Sequence, residues 1–275
     1  MSYVIASESD LASLNIRDRL LEEFAWHKEN QKVDENFVYS YKSIKLVTIK
    51  TEPVASDHLE QTLDQPKHII FLSRHRSESK KPSLLTHSVG NWGETALAGG
   101  RPFKLSRSSG TSLKLAYLEL LTQTERLNLD IPVTLEVTHH GPYLPNTTVI
   151  FVEIGSTKEE WQNPTYGKAL AHCAMRVALR NISEKLFFAI GVGGNHYANR
   201  FNKVLENTPW CVAYIVPKHA LDDLKPDMLE MAVRRAYEPI DAIIYDHKGT
   251  NSFQREKIRE ICAKLDLDLL RANKL

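Results

Sequence analysis

The chain has 275 residues, of which 42% are hydrophobic and 25% charged, with a formal net charge of +1. That length can bury a full core, and the composition excludes extensive disorder. The charge balance argues neither for nor against nucleic acid, whereas the lack of any apolar run near ~20 residues excludes a membrane span.

In chain order, Tyr3 to Ala6 reads as a strand. Ser7 and Asp10 offer caps to a helix whose Leu11, Leu14, Leu20, Leu21 and Phe24 recur at near-helical spacing. Phe37 to Tyr41 and Ile44 to Ile49 read as two strands joined by a tight turn, and His68 to Leu72 as a buried strand. Arg76 to Lys81 and Gly99 to Gly110 are loops around a helix at Thr111 to Leu127. Strands follow at Val133 to Val137 and Val149 to Ile154. A long helix then runs to about Asn181, capped in the 156–160 segment and interrupted at Pro164. The apolar runs Leu186 to Ile190, Cys211 to Val216 and Ile240 to Tyr245 predict central parallel strands. Helices at Pro226 to Tyr237 and Ser252 to Leu265 separate and follow them. The fold expected is α/β, a single domain over 1–275 with a central, mostly parallel or mixed sheet flanked by helices. Residues 1–65 are a candidate semi-independent N-terminal lobe.

Cys173, Cys211 and Cys262 are odd in number and form no CxxC pair, so a thiolate zinc site and a disulfide scaffold are not expected. Cys173 and Cys211 read as buried core thiols, and a reduced cytoplasmic setting fits. The N-terminal Met-Ser-Tyr-Val lacks the basic start of a signal peptide.

The chemistry is carried by histidines. His87, His139, His140 and His196 fall in short segments rich in glycine and small polar residues, and His75 follows the strand 68–72. Imidazoles on loops at strand ends are how an α/β protein assembles a metal or acid–base site. If the strand at 133–137 persists, His139 and His140 point to opposite faces. Glu153 interrupts the apolar run Val149 to Ile154, where a carboxylate is costly unless paired or ligating. Gly191, Gly193 and Gly194 precede Asn195 and His196 without the G-x-G-x-x-G spacing, so a dinucleotide site is not indicated. These glycines allow close approach of backbone N–H donors to a substrate oxygen. Arg74, Arg76, Lys80 and Lys81 form a local cationic patch suited to phosphate. His27, His58, His68, His172 and His219 read as structural or surface residues. No G-x-S-x-G elbow, H-E-x-x-H helix or Walker loop occurs.

Together, Ser73-Arg74-His75, Thr86-His87, Gly90-Asn91-Trp92-Gly93, Thr138-His139-His140-Gly141-Pro142, Phe151 to Ser156 with Glu160-Trp161, and Gly191 to Tyr197 resemble the archaeal and plant type of D-aminoacyl-tRNA deacylase. The order and spacing match over about 70–200, and Asp246-x-Lys248-Gly249 fits as well. One departure is Asn195, where the family has a glycine; asparagine also reaches left-handed backbone angles.

The resemblance implies a phosphorylase- or peptidyl-tRNA hydrolase-like fold. It also implies hydrolysis of the ester joining a D-amino acid to the acceptor end of tRNA, for translation quality control, with zinc as cofactor. On that reading His139, His140, His196 and Glu153 are the catalytic candidates. The metal candidates are His75, His87, His139, His140, Glu153 and His196. Arg74, Arg76, Lys80, Lys81, Gly193, Gly194 and Asn195 are the tRNA-side candidates. The expected protein is a monomer without DNA or membrane partners. The alternatives are a peptidyl-tRNA hydrolase-like esterase and a non-catalytic tRNA-binding protein.

Overall fold

A computed structural model describes residues 1–180 and 184–275. Its first elements are β1 (Ser2–Ser7), α1 (Leu11–Glu23), β2 (His27–Val33), β3 (Asn36–Tyr41), β4 (Ile44–Ile49) and α2 (Leu59–Thr62). Then come β5 (His68–His75), β6 (Ser83–His87), β7 (Gly90–Asn91), β8 (Lys104–Leu105), α3 (Gly110–Arg126), β9 (Val133–Leu135) and β10 (Thr148–Gly155). The rest is α4 (Lys158–Trp161), α5 (Pro164–Leu179), β11 (Phe187–Gly194), α6 (Asn199–Asn207) and β12 (Trp210–Pro217), then α7 (Pro226–Arg235), β13 (Ala242–Tyr245), α8 (Ser252–Leu265) and β14 (Asp268–Arg271). The expected helix end at Asn181 lies outside the described residues.

Helix starts follow from their caps. The Asp10 carboxylate accepts from the N–H groups of Ala12 and Ser13, and Asn163 does the same for α5, with Pro164 in its first turn. Thr157 and Glu160 close a capping box at α4.

The molecule is α/β with a large mixed sheet flanked by helices, as expected. Its eight strands run in the order β2-β3-β4-β1-β5-β10-β6-β9. Residues 1–65 supply four of those strands, and β1 lies between β4 and β5, hydrogen-bonded to both. Strand alternation explains the core. Ile70, Leu72, Ile150, Val152 and Ile154 face α1, α3 and α5, whereas Phe71 and Phe151 face the opposite side and stack at 4.8 Å between centroids.

The predicted parallel strands β11, β12 and β13 do not join this sheet. With β14 they build a second, all-parallel sheet in the order β12-β11-β13-β14. The segment after β9 runs along the seam between the two. Glu136 N–H donates to the Thr86 carbonyl at 3.1 Å, on the large-sheet side. Val137 and Thr138 N–H donate to His196 and Ile215 on the other. The expected strand at 133–137 is therefore shared between both sheets. Among the described residues no helix is long and apolar enough to cross a membrane. All three cysteines are free and buried.

Candidate functional site

Register places the site. Glu153 lies opposite Ser73 on β5 and Leu85 on β6, and Phe151 lies opposite His87. His75, His87, Glu153 and Phe151 thus share one face of the large sheet. The seam segment adds Glu136 to that face, and the end of the second sheet brings His196 and Tyr197 against it through a bridge between Glu136 and Tyr197.

The side chains converge closely. The His196 Nε2 is 2.8 Å from Glu136 Oε1, and His75 Nδ1 is 3.3 Å from that same oxygen. Glu153 lies 3.5 Å from His75 Nδ1 and 3.6 Å from His87 Nε2. The rings of His87, His139 and His140 are 4.3 to 4.8 Å apart. His139 and His140 do not point to opposite faces. The strand has ended, and His140 takes a left-handed backbone (φ 44°), which turns its ring beside that of His139.

Three of these imidazoles have a defined tautomer. Nδ1 of His139 donates to the Val137 carbonyl (2.8 Å), that of His140 to Gly141 (2.6 Å) and that of His87 to Ser88 (3.1 Å). In a neutral ring such a bond leaves the Nε2 lone pair free to ligate or accept. Burial, with the neighbouring His87 adding to it, lowers His139 well below the usual histidine range and His140 to about 3. Both rings are therefore neutral at pH 7. Burial acts the same way on His75 and His87, but the carboxylates of Glu153 and Glu136 outweigh it and raise both. Burial would raise Glu153, yet His75 and His87 hold it well below the carboxylate range.

Glu136 is 1% exposed, and neither of its oxygens has an aligned hydrogen-bond partner; the buried Nε2 of His87 has none either. Unsatisfied buried groups of this kind are costly. A divalent cation would satisfy all three, and nitrogen with carboxylate oxygen is a donor set that zinc accepts. The donors fall into three overlapping groups: His87, His139 and His140; His75, Glu136 and His196; and His87, Glu136 and Glu153.

All six sequence-predicted metal candidates thus come together. Glu136 was missed. The alternation Val133-Thr134-Leu135-Glu136-Val137 looks like a strand with one wet face, and only the second sheet, packed against that face, buries it.

Part of the glycine segment is taken up by the fold itself. Gly191 lies within β11, paired to both neighbouring strands. At Gly193 (φ 98°) the backbone runs against Gly249, where a Cβ would come within 1.7 Å of the Gly193 carbonyl oxygen. Gly191 and Gly193 admit close contacts within the protein, and Gly194 and Asn195, two of the tRNA-side candidates, line a cavity. Asn195 is not among the left-handed residues.

The cationic patch divides. Arg74 donates to the Ser9 carbonyl and to both oxygens of Glu52, so it is held by its own fold. Arg76, over the Trp161 ring at 5.4 Å, remains exposed, as do Lys80 and Lys81. His219, expected to be structural or on the surface, is exposed and lines both of two neighbouring cavities.

A family model described as D-aminoacyl-tRNA deacylase matches residues 62–270. The chain is 35% identical to the D-aminoacyl-tRNA deacylase of Pyrococcus furiosus, over 98% of this chain and 100% of that one. It is 33% identical to that of Methanosarcina acetivorans, over 99% and 92%. A crystal structure of a conserved protein of unknown function superposes with a TM-score of 0.90 at 31% identity, covering 100% of this chain and 96% of the other.

Proposed function

The chain belongs to the D-aminoacyl-tRNA deacylase family, and from that premise we propose that it hydrolyses the ester between a D-amino acid and the acceptor end of tRNA. The products are free D-amino acid and reusable tRNA, and the process is translation quality control in the cytoplasm. The observation that carries the reading is the convergence of five histidines and two buried carboxylates beside open cavities.

An aminoacyl ester needs an oriented water, a stabilised oxyanion and a proton for the departing ribose oxygen. His196, with its side chain 53% exposed and its Nε2 beside Glu136, is placed to move that proton, the carboxylate orienting the ring. Neutral His139 borders the first cavity and offers Nε2 to the reacting centre. Tyr197 lends its hydroxyl to His75 Nε2 at 3.2 Å and fixes that ring.

We propose zinc as the cofactor. His87, His139 and His140 would hold it through Nε2, with Glu153 as the neighbouring carboxylate donor. When bound, zinc supplies Lewis-acid polarisation of the ester carbonyl and acidifies the attacking water. Arg76, Lys80 and Lys81 are the exposed cations left to meet acceptor-stem phosphates.

The test is His139→Ala and His196→Ala, each assayed for release of tyrosine from D-Tyr-tRNA, with circular dichroism to confirm folding. Loss of turnover in folded protein is expected; normal turnover in both variants would remove the assignment.

A further inference from the structure

Two cavities open from the histidine cluster and meet at His219. The first, about 580 Å³, reaches His139 and is walled by Trp92 and Phe103; the carboxylates of Glu94 and Asp223 on its lining outnumber its one cation, Lys225, which sits 4.0 Å over the Phe103 ring. It suits an aminoacyl group, whose α-ammonium is cationic. The second, about 520 Å³, reaches His196 and is lined by Gly194, Asn195, Lys218, Lys248 and Asn251. Its one acid, Asp222, accepts from the side-chain N–H of Gln254 at 2.6 Å and keeps its charge, so the two lysines leave the lining with an excess of positive charge.

Phe253 lies in the first turn of α8, in the chain between Asn251 and Gln254, which both line this second cavity. Phe253 is 77% exposed. A single exposed phenylalanine is ordinary on a protein surface. This one is a chain neighbour of two residues that line a lysine-bearing cavity reaching His196.

Resting on the deacylase reading, we propose that the second cavity and Phe253 form the binding subsite for the unpaired 3′ end of tRNA. Lys218 and Lys248 meet its phosphodiesters, and a base of the single-stranded terminus stacks on the Phe253 ring. Unpaired RNA is held in this way, by cations along the backbone and aromatic faces against bases. The arrangement sends the terminal ribose towards His196 while the aminoacyl group enters the first cavity.

The test measures kcat and KM on D-Tyr-tRNA for the wild type, Phe253→Ala and Phe253→Tyr. It also measures binding of deacylated tRNA, whole or trimmed of its last three nucleotides. Phe253→Ala is expected to raise KM about tenfold, the worth of one stacked base, with kcat nearly unchanged. Phe253→Tyr restores KM, and trimming weakens binding to the wild type more than to Phe253→Ala, which keeps only the lysine contacts. A KM for Phe253→Ala within twofold of the wild type overturns the subsite and leaves the deacylase reading standing. If the wild type releases no D-tyrosine, the deacylase reading falls, and the binding arm decides the subsite: equal affinity for whole and trimmed tRNA overturns it.

Discussion

Replacing Glu136 with glutamine keeps the side-chain shape and removes one negative charge from the centre of the site. The carboxylate lies 2.8 Å from His196, 3.3 Å from His75 and 3.8 Å from His87. Breaking a buried ion pair typically costs ~3–5 kcal/mol when it strands a charge. Here the imidazoles can release their protons, so the loss of stability is expected nearer ~1–3 kcal/mol. The effect on function is larger in proportion. Removing a carboxylate that orients or ligates costs ~10–100-fold in metal affinity or activity. Glu136→Gln should therefore fold, bind zinc more weakly and show kcat/KM on D-Tyr-tRNA lower by about that factor. The assay is initial-rate release of labelled tyrosine, with metal content read by atomic emission. A folded Glu136→Gln protein within twofold of the wild type in both rate and bound zinc would refute the central position given to this residue.

Three further outcomes are expected. His68 is 2% exposed, and burial, with Arg180 adding to it, lowers its pKa well below 6.5. The unfolded chain thus binds a proton that the folded one rejects as pH falls below 6.5, and stability is lost in that direction, by about 2 kcal/mol at pH 5 relative to pH 8. His68→Leu should remove that part of the acid sensitivity in urea melts, and an unchanged pH slope would contradict it. Gly249→Ala drives a methyl group into the Gly193 carbonyl and should lower stability by ~1–3 kcal/mol; an unaltered melting temperature would show that the loop at 246–250 can move away freely. Prolonged chelation should abolish deacylation and lower the melting temperature, both restored by added zinc, whereas full activity in protein shown to be metal-free would argue against the cofactor.

Much of the site was legible because its residue types are conspicuous. Histidines beside glycine at strand ends, and Glu153 inside an apolar run, stand out from any structural background. Glu136 did not, since a glutamate in an alternating strand is ordinary until a second layer covers it. The same limit hid the division into two sheets. The apolar runs of β5, β10, β11 and β12 are alike in composition, and which strands pair is decided by contacts far apart in sequence. Five strands escaped notice, β2, β6, the two-residue β7 and β8, and β14, the first two for opposite reasons. β2 is a polar edge strand, His27-Lys28-Glu29-Asn30-Gln31-Lys32-Val33, and β6 was masked by the basic loop before it. At Gly193, glycine marked a close approach without saying to what. Here the approaching group at Gly193 is the protein's own backbone.

The most direct test is release of tyrosine from D-Tyr-tRNA and from L-Tyr-tRNA by the purified wild-type protein in one time course. Fast release from the D ester with none from the L ester is the predicted result; equal release from both, or none from either, would contradict the assignment of this histidine and carboxylate cluster to D-aminoacyl-tRNA deacylation.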